Sequence, residues 1–247
     1  MLPDTFAKLR TGKRRLPRER RTTMPAPQIE TGRAPEENLN VRHMLPLPAD
    51  TPFGNLSLKY TLIIERLDHV NLMLRTVYES HERALADPFS GALLQHTLVA
   101  EQVIYWLRKT ADELIGLYHL LTSREEIGRY PDRVSPESIG QLLHSKTTAP
   151  LFADHIEFLA TLNDISNAYK HSFINSDLNL VGRYEPVVNA LGLRYNNLRN
   201  EPTLSSVPLR DIVAGFNAFF ATVAQYLRSC SIPHQSRQTS GNGTDNS

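Results

Sequence analysis

The chain has 247 residues, 40% of them apolar and 21% charged, which suits one domain with a sizeable core plus tails. Its 27 basic and 26 acidic residues leave a net charge of +1, and its single cysteine excludes a disulfide scaffold or a cysteine-rich zinc site. No stretch reaches the roughly 18 to 20 apolar residues of a membrane-spanning helix; the nearest, Ile212 to Ala224, is interrupted by Asn217.

The charge is unevenly placed. Residues 1–23 hold eight basic side chains (Lys8, Arg10, Lys13, Arg14, Arg15, Arg18, Arg20, Arg21) against two acids, so the remainder holds nineteen basic groups against twenty-four acidic ones. A mildly acidic body lacks the basic face of a duplex-binding domain. The arm itself suits sequence-blind phosphate contact, above all through Lys13, Arg14, Arg15, Arg18, Arg20 and Arg21. The plainer reading is a solvated tail, with Met24 as an alternative start. The N-terminus has no apolar signal core, and Pro3 and Pro17 break any continuous amphipathic transit helix, so a cytoplasmic chain without membrane contact is expected. Residues 1–52, rich in Pro, Arg, Thr and Glu, lack apolar periodicity and should be disordered or loosely draped over a domain spanning 53–230. Residues 231–247 hold one aliphatic side chain, Ile232, and read as a disordered tail.

Within the body the period is helical. Leu56, Tyr60, Ile63, Ile64, Leu67, Val70, Leu74, Val77 and Tyr78 step by threes and fours and predict a helix over 56–86. Asp87-Pro88 then reads as a cap and first position for a second helix, from Phe89 to Leu121, with Leu94, Leu98, Val103, Trp106, Leu107, Leu114, Leu117 and Leu121 inward. Joined by a tight turn, the two should lie antiparallel. Trp106, Tyr105, Tyr118 and Tyr60 are candidates for a base-stacking platform, although aromatics spaced among leucines are the usual content of a core. Glu101, Asp112 and Glu113 are placed to face Arg66 and Arg75 across the pair.

Ser135-Pro136-Glu137 reads as the start of a short helix ending at His144, and Ala149-Pro150 as the start of a third long one reaching Ile174, with Phe152, Ile156, Leu159, Leu162, Tyr169 and Phe173 inward. Arg183 to Arg194 and Thr203 to Val207 are possible strands of a small hairpin. Pro208 opens a last helix to Ser229 that looks apolar on nearly every side, as a central helix or one covered by a second subunit would be. The expected fold is therefore mainly α: an antiparallel helical bundle with a small β-hairpin before the last helix.

Chemistry is sparse. The nine histidines include no two placed four apart, and none has a glutamate three residues before it, so neither a His-x-x-x-His pair nor a di-iron motif is present. Glycine-rich phosphate loops and a nucleophile elbow are also missing, and no metal or cofactor is expected. The informative segment runs from Leu162 to Phe173. On a helix, Asn163, Asn167, Lys170 and His171 fall within a sector of about 100°, beside the apolar stripe and with Asp164 adjacent to His171. An ordinary solvent face favours Glu, Lys and Gln over asparagines and histidine. Three readings stay open: hydrogen bonding to the hairpin and to the chain reversal at Asn175; binding of a phosphate, nucleotide or RNA, with Lys170 as point charge and His171 as donor; or acid–base catalysis by His171.

Long antiparallel helices with a polar-plus-His segment late in one of them resemble the HEPN superfamily, over roughly residues 56–230. That resemblance implies a small, often homodimeric helical module, linked in bacteria to defence and toxin–antitoxin systems, whose catalytic members are RNases. Those members carry an Arg four to six residues before the His. Here the corresponding positions are Asp164, Ile165 and Ser166. The resemblance therefore implies a binding or interaction module that contacts nucleotide or RNA. The alternatives are a diverged RNase using His171, or a protein-binding scaffold.

Overall fold

The structure is a computed structural model that describes residues 24–33, 37, 44–145, 149–171, 184–192, 199 and 202–230. Among these, five α-helices and one two-stranded hairpin follow the expected order: α1 (Leu56–Ala86), α2 (Ala92–Ile127), α3 (Ile139–His144), a 3-10 turn (Pro150–His155), α4 (Ile156–His171), β1 (Val187–Gly192), β2 (Thr203–Pro208) and α5 (Leu209–Cys230).

All nine apolar positions expected to line α1 are buried. Asn55 caps it, its side chain accepting from the Leu58 amide at 2.8 Å. At the other end Asp87 closes α1 instead of opening α2. Its amide donates to the Arg83 carbonyl, and its carboxylate accepts from Phe89 at 3.0 Å. A turn therefore intervenes, and α2 starts at Ala92 after Gly91, whose φ of 72° is the left-handed conformation glycine adopts freely.

The inward face of α2 also differs from expectation over its first turns. Leu94 and Leu98 are exposed, while Ala92, His96 and Ala100 turn inward. α1 decides this: His96 Nδ1 meets the Val77 carbonyl at 3.1 Å, and the His96 ring lies 5.5 Å from that of His81. Small and polar side chains fit the closely spaced helices there, and the leucines are displaced outward. From Val103 to Ser123 Tyr105 alone is exposed, so α2 is the central helix of the bundle.

α5 is therefore not the central element. Its core side is heavy (Ile212, Val213, Phe216, Phe219, Phe220, Val223, Leu227), but its outer side carries Asp211, Ala214, Ala218, Ala221, Gln225 and Arg228. Alanines that count as apolar in sequence serve here as a small solvent face. At Gly215 the helix meets α4 closely: a Cβ there would stand 2.4 Å from the Phe158 ring.

α3 begins three residues later than Ser135 suggested. Ser138 is its cap, accepting from Gln141 at 3.3 Å, and Asp112 of α2 accepts from the Ile139 amide at 2.8 Å. Two otherwise orphaned first-turn amides are thus satisfied. The hairpin pairs antiparallel from Val187 opposite Pro208 to Gly192 opposite Thr203 and packs on α4, where the Tyr169 hydroxyl donates to the Asn189 carbonyl at 3.2 Å. Phe173, Ile174 and Asn175 lie outside the described residues, so the expected end of α4 and its reversal are not described.

The expected N-terminal arm, 1–52, requires a correction: part of it belongs to the core. Ile29 is 3% exposed and Leu47 5%. The Pro48 carbonyl accepts from the Leu56 amide at 2.9 Å, and the Leu45 carbonyl accepts from Ser57 Oγ at 2.7 Å. Two isolated aliphatics among prolines give no periodicity to read, yet each fills a socket between helices.

Candidate functional site

α4 places Asn163, Asn167 and Lys170 at i, i+4 and i+7, on the side beside α2. α2 answers with Tyr105, Arg108, Lys109 and Asp112 at i, i+3, i+4 and i+7. Asn163 is 8% exposed, and its Oδ1 accepts from Arg108 Nη2 at 3.4 Å. Arg108 Nη1 also pairs with Asp112 at 3.4 Å, while the Arg108 Nε–H is buried without a hydrogen-bond partner among the described residues. At the other end of the strip Lys170 Nζ sits 5.5 Å from the centre of the Tyr105 ring. Next to it, Arg66 of α1 donates to Glu113 at 2.8 Å and lies over the Trp106 ring, and Lys109 reaches Glu113 at 3.7 Å.

Four cations (Arg66, Arg108, Lys109, Lys170) thus surround two carboxylates, Asp112 and Glu113. The consequences show in the ionisation of the group. Although Lys170 is exposed as a whole, partial withdrawal of its ammonium from water lowers its pKa. Arg108 and Lys109 push the same way and Asp112 opposes them. Asp112 is raised by its own burial, against the stabilising Ile139 amide and the surrounding cations. Like charges gathered on a half-buried strip favour an anion that relieves them.

The sequence-predicted residues divide. Asn163 and Lys170 belong to the strip, and Asn167 is half-buried between them on the same helix. His171 is exposed at the last position of α4, about 12 Å along the helix axis from Asn163. Asn163, Asn167 and Lys170 thus line one side of α4, with His171 beyond them at its C-terminal end. The basic residues Lys13, Arg14, Arg15, Arg18, Arg20 and Arg21 lie outside the described residues. Of the aromatic set, Tyr60 and Tyr118 are core and Trp106 is half-buried, but Tyr105 is 43% exposed beneath Lys170. The expected pairing of Arg66 with Glu113 is present, whereas Asp112 turns to Arg108. Arg108 and Lys109 join the strip without belonging to any motif of the sequence. Their signal was a polar run, Arg108-Lys109, interrupting the leucine pattern of the most buried helix.

Among the described residues no group of three or more His, Cys, Asp or Glu side chains is placed to hold a metal ion, and no helix is long and apolar enough to cross a membrane. No protein-family model matches the chain, and no match is found among curated proteins or solved structures.

Proposed function

We propose that the chain is a HEPN-like helical binding module without catalysis of its own, cytoplasmic and homodimeric, which contacts RNA or a nucleotide along the α2/α4 strip. In this reading it belongs with bacterial defence or toxin–antitoxin systems. The observation that carries the proposal is Lys170 held over Tyr105 within electrostatic reach of Arg108 and Lys109. Cations gathered beside a partly exposed aromatic ring suit a single strand: phosphates pair with the cations, and a base that displaces the Lys170 ammonium stacks on Tyr105. The basic arm adds sequence-blind phosphate contacts.

The test is fluorescence anisotropy of a labelled single-stranded RNA over a salt series. Lys170→Ala should weaken binding and lower the salt slope by about one contact, and Tyr105→Ala should weaken binding roughly 5- to 100-fold. Unchanged affinity in both variants removes the proposal. Cleavage of bulk RNA by the wild type, lost in His171→Ala, would favour a diverged RNase instead.

A further inference from the structure

For so enclosed a cation, Arg108 is loosely held. A charge-assisted N–H···O contact runs to about 2.7 to 2.9 Å, and Arg66 reaches Glu113 at 2.8 Å. Arg108 stands 3.4 Å from each of its two acceptors, Asp112 and Asn163, and its Nε–H is buried without a hydrogen-bond partner among the described residues.

α3 keeps both acceptors at that distance. The Ile139 amide donates to Asp112 Oδ1 at 2.8 Å, so the carboxylate lies closer to α3 than to the guanidinium. The next residue borders the second acceptor: a Cβ at Gly140 would stand 3.9 Å from Asn163 Oδ1. Ile139 is fully buried, and α3 packs on both α2 and α4, which fixes the direction of its amide. The first turn of a six-residue helix, with no acidic side chain in it, thus touches both groups that could neutralise Arg108.

Electrostatics gives the sign of the effect. A carboxylate that already accepts a backbone N–H pulls less strongly on a neighbouring cation. Without that donor Asp112 would close on Arg108, and a phosphate reaching the strip would meet a neutral pair instead of an available guanidinium. By linkage, a phosphate that takes Arg108 leaves Asp112 to the Ile139 amide and so tightens α3.

We infer that Ile139 is a positioning residue for the α2/α4 strip: its backbone amide holds Asp112 away from Arg108, so that docking of α3 raises the affinity of the strip for phosphate. This rests on the reading of the strip as a phosphate-binding surface and adds the element that regulates it. The ligand itself does not touch α3.

The backbone donor can be deleted by itself. Ile139 is the first residue of α3, a position where proline is favoured, and Ser138 before it is extended (φ −154°, ψ 160°), as a residue preceding proline prefers. Ile139→Pro removes the N–H, while Ile139→Val keeps it and controls for lost packing. In anisotropy titrations with a labelled oligouridylate, Ile139→Pro should bind roughly 5-fold or more weakly than Ile139→Val. In an Asp112→Asn background the two should bind alike, because a neutral carboxamide does not cancel the charge of Arg108. Equal binding by folded Ile139→Pro and Ile139→Val overturns the inference and leaves the strip standing. A loss that persists undiminished in Asp112→Asn is a structural defect and overturns it too. No binding by the wild type overturns the reading of the strip and the inference together. Circular dichroism verifies folding. Should Ile139→Pro unfold, Ser138→Ala decides: it deletes the cap on the Gln141 amide and frays the same turn. It should weaken binding beside Asp112 and not beside Asn at that position, and unchanged affinity overturns the inference.

Discussion

The two asparagine-bearing seams of this molecule are built from the same side chain and work differently. On the α2/α4 seam, Asn163 is a buried acceptor that holds a guanidinium in place, and the cations around it are left with too few carboxylates. On the α1/α5 seam, Asn71 and Asn217 satisfy four backbone groups of residues 28–30, and the nearby cation, Arg33, is paired with Asp68. The first seam is electrically unfinished and invites a ligand; the second is already filled. What a polar residue on a helix means depends on the group across from it.

The comparison can be broken most sharply at Asp112. Asp112→Leu strips Arg108 of its carboxylate and Ile139 of its acceptor, and stability measured by urea denaturation should fall by about 2 to 3 kcal/mol. Asn217→Ala should lower it by about 1 to 2 kcal/mol, since two backbone groups lose their partner. Adding Asn71→Ala should cost less than a second full increment, because both asparagines hold one segment. Full additivity would show that the segment does not dock as a unit.

A change of pH probes the α1/α2 contact that sets the inward face of α2. Burial, and then the neighbouring His96, lower the pKa of His81 from 6.5 to about 4. The unfolded chain therefore binds the proton first, and stability is complete above about pH 6.5 and declines as pH falls toward 4. His96 is lowered by burial in the same sense. The decline, followed by thermal melts between pH 7 and 4.5, should be shallower in His81→Phe than in wild type; a parallel decline would place the acid sensitivity elsewhere. The smallest effect is expected at the exposed end of α4: His171→Ala should alter stability by no more than about 0.5 kcal/mol. A larger loss would return His171 to the structural role that hydrogen bonding to the hairpin implied.

Legibility in the sequence followed the physics of each signal. The full span of α1 was readable because nine apolar side chains repeat from Leu56 to Tyr78 and Asp87-Pro88 punctuates the end. The hairpin was readable from β-branched runs ahead of Pro208. The inward face of α2 near Leu94 and Leu98 was not, because periodicity gives a stripe and not the closeness of the neighbouring helix. The site was half legible. Asn163 and Lys170 stood out as poor choices for a solvent face, but Arg108 and Lys109 look like any charged pair until α4 is laid beside them.

By itself, then, the sequence determined the helical class, the order of elements and the position of the hairpin, all of which rest on local spacing and capping within a few turns of chain. Only the tertiary structure decided that α2 is central, that Ile29 and Leu47 belong to the core and that Asn71 meets Asn217 across a bound segment. Those facts depend on groups as much as 189 residues apart, and no local pattern encodes which distant backbone will come to lie within 3 Å of a side chain.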